Sequence, residues 1–183
     1  LMIEGFALAG QILSEPAYIA QAEKAAEFLL KQARLENGGL SRMWDNGQPY
    51  HRGYLEDYAF LIAGLLALHH ATNAPRWLDE ARTLLEQADA LFFDAEHGTY
   101  FFTDGKDRMI TRIRKGNDSA LPSCTGMMIA NFLELHALTG DDSWRERAEK
   151  KLRAYAGPMR EHPAEYTSMV EALLRMEEEG TLS

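Results

Sequence analysis

Glu56 and Asp118 are the two carboxylates whose type and placement suit acid–base chemistry, each expected at the N-terminal end of an apolar helix in neighbouring units of the chain. Packed helices stand about 8 to 10 Å apart, and a glycosidase pair flanks its sugar bond at ~5 to 9.5 Å. Asp57 follows Glu56 directly and points about 100° further round the helix, so only one of the two is expected to face a cavity. Trp44, Tyr50, Tyr58 and Tyr100 would offer ring faces for stacking on a sugar, and His51, Arg52 and Ser123 would supply polar anchors. Each has a plainer role open to it. Asp118 can cap a helix, Glu56 can be a first-turn acid favoured by the dipole, the aromatics can pack the rim, and His51-Arg52 can simply face water.

Other chemistry has little support. His69 and His70 are adjacent and lack the i, i+4 spacing that puts two imidazoles on one metal, and no Cys-x-x-Cys occurs. Neither GxGxxG nor GxxxxGK[ST] is present, so no metal and no cofactor is expected. His69 and His136 fall near the C-terminal ends of helices, where the dipole favours a structural histidine. Cys124, the single cysteine, is expected to be buried and inert.

The elements that position these residues form a repeat. Laying the stretch from Leu65 on that from Phe132 matches Leu66 with Leu133, His69 with His136, Thr72 with Thr139 and Trp77 with Trp144. A weaker copy begins at Phe6, with Tyr18 in place of the tryptophans and Pro16 in place of Pro75. Each copy is a helical hairpin. Its first helix (about 2–13, 55–72 and 120–138) is apolar nearly all round and must be buried on every face. Its second (about 15–34, 75–91 and 141–155) carries charges and one inward apolar stripe. Alternating inner and outer helices predict an all-α fold, a partial α/α toroid of about three and a half hairpins. They occupy about 2–35, 54–92 and 119–156 of a single helical domain, with a terminal helix over about 164–178. Long connectors run over 36–53 and 96–117, and the aromatic alternation from Thr99, through Asp104-Gly105, to Met109–Ile113 predicts a short β-hairpin.

At 183 residues and 46% hydrophobic content the chain sustains one real core. A net charge of -9 with no basic block excludes a nucleic-acid surface. The longest apolar runs fall short of the ~20 residues that span a bilayer, and one cysteine suits a reducing, cytoplasmic setting. Leu1 already lies within an apolar helical pattern, and three and a half hairpins leave an open ring, so a larger toroid is expected, with the missing part or a second copy closing it.

The segments Gly53-Tyr54-Leu55-Glu56-Asp57-Tyr58-Ala59-Phe60, Pro75-Arg76-Trp77-Leu78 and Asp118 to Ser123 (DSALPS) give a resemblance over most of the chain. The chain resembles the C-terminal half of the DUF255 family, the YyaL-like and spermatogenesis-associated protein 20-like proteins. That resemblance implies a six-hairpin glycosidase-like toroid related to N-acylglucosamine 2-epimerases, preceded by a thioredoxin-like domain. It also implies a sugar or polyol ligand, with hydrolase or epimerase-like chemistry; the alternative is a non-catalytic helical scaffold packing on the thioredoxin-like domain or on another chain. Where the family continues Pro-Ser-Gly-Asn-Ser, this chain has Pro122-Ser123-Cys124-Thr125-Gly126.

Overall fold

The computed structural model describes residues 1–106 and 111–181. They form two compact units, Leu1–Ala90 and Leu91–Ser183.

Unit 1 contains α1 (Met2–Ile12), α2 (Pro16–Lys31), β1 (Ser41–Asp45), β2 (Gln48–Arg52), α3 (Leu55–Thr72) and most of α4 (Pro75–Phe92). Both α1 and α2 pack on α3 and on each other. The apolar sequence of α3 explains its position: Leu55, Ala59, Ile62, Leu65, Leu66 and Leu68 are all buried. In α4 the buried set Trp77, Ala81, Leu84, Leu85 and Ala88 follows helical spacing and leaves the charged face to solvent. Helix α1 departs from the expected all-round burial, since Met2 is 71% and Ile12 78% exposed. Its Ile3 and Ala7 face inward, and Ile3 lies against Gly64 of α3, where a Cβ would come within 3.0 Å.

The first connector holds a β-hairpin that the apolar periodicity did not announce. Asn46 and Gly47 take φ of 48° and 80°, the left-handed pair of a two-residue turn whose twist matches the flanking strands. Asp45 then pairs with Gln48, Met43 with Tyr50 and Ser41 with Arg52. The hairpin's root is held by Tyr58, whose hydroxyl accepts the Leu40 N–H at 2.9 Å. Tyr58→Phe leaves that buried donor unpaired, and urea denaturation should show a loss of about 1–2 kcal/mol.

Unit 2 contains the end of α4, β3 (Phe93–Asp94), β4 (Thr99–Tyr100), α5 (Cys124–Thr139), α6 (Asp142–Ala154), α7 (Ala156–Glu161), a 3-10 turn (Pro163–Glu165) and α8 (Thr167–Thr181). Helix α5 packs on α6 and on α8. It starts at Cys124 rather than near residue 120, because Pro122 disfavours helical backbone at Leu121 and Ser123 caps the helix by accepting the Gly126 N–H. The strand pairing in the second connector is Phe93 with Tyr100 and Asp94 with Thr99. The expected aromatic hairpin survives as one antiparallel bridge, Phe101 with Arg114, beside a Phe102 N–H to Ile113 carbonyl bond of 2.8 Å. Met109 and Ile110 of that expectation lie outside the described residues.

The hairpin repeat extends to individual hydrogen bonds. His69 Nδ1 meets the Ala74 carbonyl at 3.1 Å, and His136 Nδ1 meets the Asp141 carbonyl at 3.2 Å. The Thr72 and Thr139 hydroxyls donate back to Leu68 and Leu135 and accept the N–H of Ala74 and Asp141. Asn73 and Gly140 close the two helices in the left-handed region. The two histidines therefore hold the turn between inner and outer helix, and Trp77 and Trp144 sit buried at the start of the outer helix in each copy.

Candidate functional site in unit 1

A cavity of about 290 Å3 opens in unit 1 between α1, the end of α2, β1 and the start of α3. Its wall is mostly apolar, with Ile3, Leu29, Ala33, Leu40, Phe60 and Leu61, and its polar side is Ser41, Arg42, Glu56 and Asp57. Arg42 organises that polar side. Its Nη2 donates to Glu56 Oε1 at 2.8 Å and its Nη1 to Asp57 Oδ2 at 2.9 Å, while the guanidinium lies 4.4 Å from the centre of the Tyr54 ring. The expectation that only one of the adjacent acids faces the cavity is corrected here. Both line it, because one forked guanidinium spans the angle between them.

The two carboxylates have different freedom. Asp57 Oδ2 also accepts the Tyr54 N–H at 2.7 Å, closing the first turn of α3 and drawing on the positive end of its dipole. Burial pushes the Asp57 carboxyl above its usual range, against the Tyr54 N–H and Arg42, which draw it down. Burial works to lower the Arg42 guanidinium's pKa, but the hydrogen bond to Glu56 and the Asp57 charge outweigh it and raise it. The two side chains are equally exposed, 29% for Glu56 and 28% for Asp57, so bonding separates them: Asp57 is also committed to the Tyr54 N–H, whereas Glu56 is held through Oε1 to Arg42 and is the acid positioned to meet a ligand.

The other expected residues separate from this cavity. His51 and Arg52 line a polar groove with Arg34, Glu36, Asn37 and Gln48. Trp44 packs edge-on against Phe28 of α2 at 5.3 Å, and Tyr50 tilts against His51 at 5.1 Å. Tyr58 and Tyr100 are core residues, 1% and 0% exposed, and present no ring face to a sugar. Tyr58 is spent on the Leu40 amide, and Tyr100 packs on Phe93 at 5.5 Å.

Asp118, in unit 2, is a structural junction rather than an open acid. Its Oδ1 accepts the Ser123 N–H at 2.7 Å and the Ser168 hydroxyl at 2.6 Å, and its Oδ2 accepts the Thr167 hydroxyl at 2.7 Å and the Ser168 N–H at 2.8 Å. It thereby ties the cap of α5 to the first turn of α8. Burial opposes its charge, but the Ser168, Ser123 and Thr167 donors prevail and lower its pKa. Ser123, 5% exposed, serves as the α5 cap, and the expectation of a ligand anchor gives way to that role. Gly126 allows the close approach, since a Cβ there would stand 2.0 Å from Ser168 Oγ.

Among the described residues one group could bring three metal-ligand atoms together, Asp94, Glu96 and His97. Asp94 is already held by Arg114 at 2.6 Å and His97 at 3.0 Å. Cys124 is buried. No helix among the described residues is long and apolar enough to cross a membrane.

No protein-family model matches the chain. Spermatogenesis-associated protein 20 of Rattus norvegicus is 35% identical over 94% of this chain, and that of Homo sapiens is 33% identical over the same share. Over nearly all of its own length the chain is thus homologous to spermatogenesis-associated protein 20, of the DUF255 or YyaL-like group. It spans 23% of the length of each of these relatives. Solved structures give a matching fold. A GH76 α-mannanase of Bacteroides thetaiotaomicron superposes with a TM-score of 0.73 at 15% identity, over 97% of this chain and 50% of that one. Cellobiose 2-epimerase of Bacillus thermoamylovorans gives 0.68 at 21% identity, over 84% and 42%. A D-mannose isomerase gives 0.66 at 17%, over 86% and 39%. At these identities the likeness is one of fold. The chain has the all-α architecture of six-hairpin glycosidase-like α/α toroids, and it matches about two fifths to one half of the length of these carbohydrate-processing enzymes.

Proposed function

We propose that this chain is a carbohydrate-binding or carbohydrate-processing part of an α/α toroid, and that its unit 1 cavity holds a sugar or polyol. The observation that carries this reading is the joining of Glu56, Asp57 and Arg42 on the polar side of a cavity whose other wall is apolar and includes Phe60. A sugar has the matching character, with hydroxyls at its edges and C–H groups on its faces. Glu56 is the acid–base group in this reading, for hydrolysis or for proton abstraction next to a carbonyl, and Asp57 with Arg42 fixes its direction. Calorimetric titration of the chain with a panel of neutral mono- and disaccharides tests it. At least one should bind, with affinity reduced about tenfold in Glu56→Gln, a loss of about 1.4 kcal/mol. Absence of binding across the panel contradicts the proposal.

A second reading, a non-catalytic helical scaffold packing on a thioredoxin-like domain or another chain, is favoured by the exposed apolar residues of α1, Met2, Leu8 and Ile12. Light scattering with size exclusion distinguishes it. Self-association that is abolished by Met2→Lys with Ile12→Lys supports the scaffold, whereas a monomer at all concentrations counts against packing on another copy.

A further inference from the structure

We infer that the unit 1 cavity prefers a ligand carrying an amine, so that a cationic amino sugar binds there more tightly than the corresponding neutral sugar, and an acidic sugar least tightly. This rests on the carbohydrate reading above and names the class of sugar within it.

The inference comes from counting the charges that face the cavity from each element around it. From β1 comes Arg42, and from the start of α3 come Glu56 and Asp57. Asp57 Oδ2 accepts two donors, the Tyr54 N–H and Arg42 Nη1, the arrangement of an ionised carboxylate. The lining from Leu1, Met2 and Ile3 and from Leu29 and Ala33 adds no charged side chain. One guanidinium between two carboxylates leaves one negative charge over. The positive end of the α3 dipole, about half an elementary charge, offsets it only in part.

The site's geometry places that excess charge on Glu56. Both Nη atoms of Arg42 already face an acid, so a ligand carboxylate would have to share the guanidinium with Glu56 and Asp57 and meet their like charge. An ammonium group needs no such sharing and joins Glu56 on its ligand side. The apolar wall of Leu29, Leu40, Phe60 and Leu61 keeps water from one side of the pair and raises the effective field.

Titration of the chain with glucose, glucosamine and glucuronate, at low salt and at a pH where the amine is protonated, tests this. Glucosamine should bind about tenfold more tightly than glucose, as expected of one uncompensated charge at a partly desolvated site, and glucuronate more weakly than both. The ratio of glucosamine to glucose affinity should fall to about one in Glu56→Gln, which leaves Arg42 and Asp57 balanced, and should widen in Arg42→Met, which leaves both acids uncompensated. It should also shrink as salt is raised. Equal binding of glucose and glucosamine, tightest binding of glucuronate, or a ratio unmoved by both substitutions overturns the amine preference and leaves the carbohydrate reading standing. Binding of none of the three sugars overturns the amine preference, and absence of binding across the neutral panel as well overturns both. Should Glu56→Gln fail to fold, the Arg42→Met ratio and the salt series decide.

Discussion

Asp118→Ala is expected to destabilise unit 2 by about 3–5 kcal/mol, because it strips one acceptor from four donors at once and hydrogen bonds to a charged group are each worth about 1.5–3 kcal/mol. The donors are the Ser123 and Ser168 amides and the Thr167 and Ser168 hydroxyls. The Thr167 side of the junction is open to solvent and recovers part of its loss by bonding water, so the four do not sum. The effect should concentrate at the two helix starts, where Ser123 and Ser168 amide exchange accelerates more than that of the middle of α5. Asp118→Asn keeps one carbonyl acceptor and should cost about half as much. The pH dependence has a definite sign. A carboxyl whose folded pKa is lowered adds stability that is complete above its unfolded value and is lost as pH falls through the folded one. Acid denaturation of the wild-type chain should therefore have a component below the ordinary aspartate range that Asp118→Asn removes. A loss under about 1 kcal/mol in Asp118→Ala would show that the junction is dispensable.

Lys151→Ala should have the second large effect, about 3–4 kcal/mol, from lost stem packing and lost cation–π attraction. Lys151 is 2% exposed on α6, and its ammonium lies 4.3 Å from the centre of the Phe93 ring, 4.5 Å from Phe132 and 5.5 Å from Tyr100. The same side chain thus joins the β3–β4 hairpin to α5 and α6. Lys151→Met refills most of the volume without the charge and should cost only about 1–2 kcal/mol. Thermal unfolding read by circular dichroism checks the order, wild type above Met above Ala. A Met variant as damaged as the Ala variant would place the whole contribution in the charge.

The fold was legible because its signals are local. The Leu-His-Thr-Trp series of the repeat encodes a helix end, a histidine-pinned turn and a buried tryptophan within a few residues, and the structure forms the same bonds in both copies. Inner and outer character followed from charge distribution, correctly for α3 and α5. It did not extend to α1, since an apolar helix is buried on every face only where neighbours cover every face.

The site was legible in part. Glu56 and Asp57 were recognised by their place at a helix start, whereas Arg42 was not, although Asp45-Asn46-Gly47-Gln48 is a strong hairpin signal. Following that signal would have brought β1 and β2 together, but the step from hairpin to clamp depends on how the hairpin lies over Tyr54, which no local pattern specifies. Tyr58 at a helix start and Tyr100 in a connector look like rim aromatics in sequence and are buried, because Leu40 lies against Tyr58 and Phe93 and Lys151 lie against Tyr100 in space. Asp118 finds its main partners in Thr167 and Ser168, some fifty residues further along the chain, at a separation that hairpin spacing cannot reveal.

The central claim is that the Arg42–Glu56–Asp57 cavity is where a sugar binds, and amide chemical-shift mapping of the labelled chain during sugar titration tests it most directly. The predicted result is a saturable set of shifts confined to Ser41, Arg42, Glu56, Asp57 and Phe60, needing about tenfold more sugar to saturate in Glu56→Gln. Shifts confined to unit 2, or none at any sugar concentration, would contradict it.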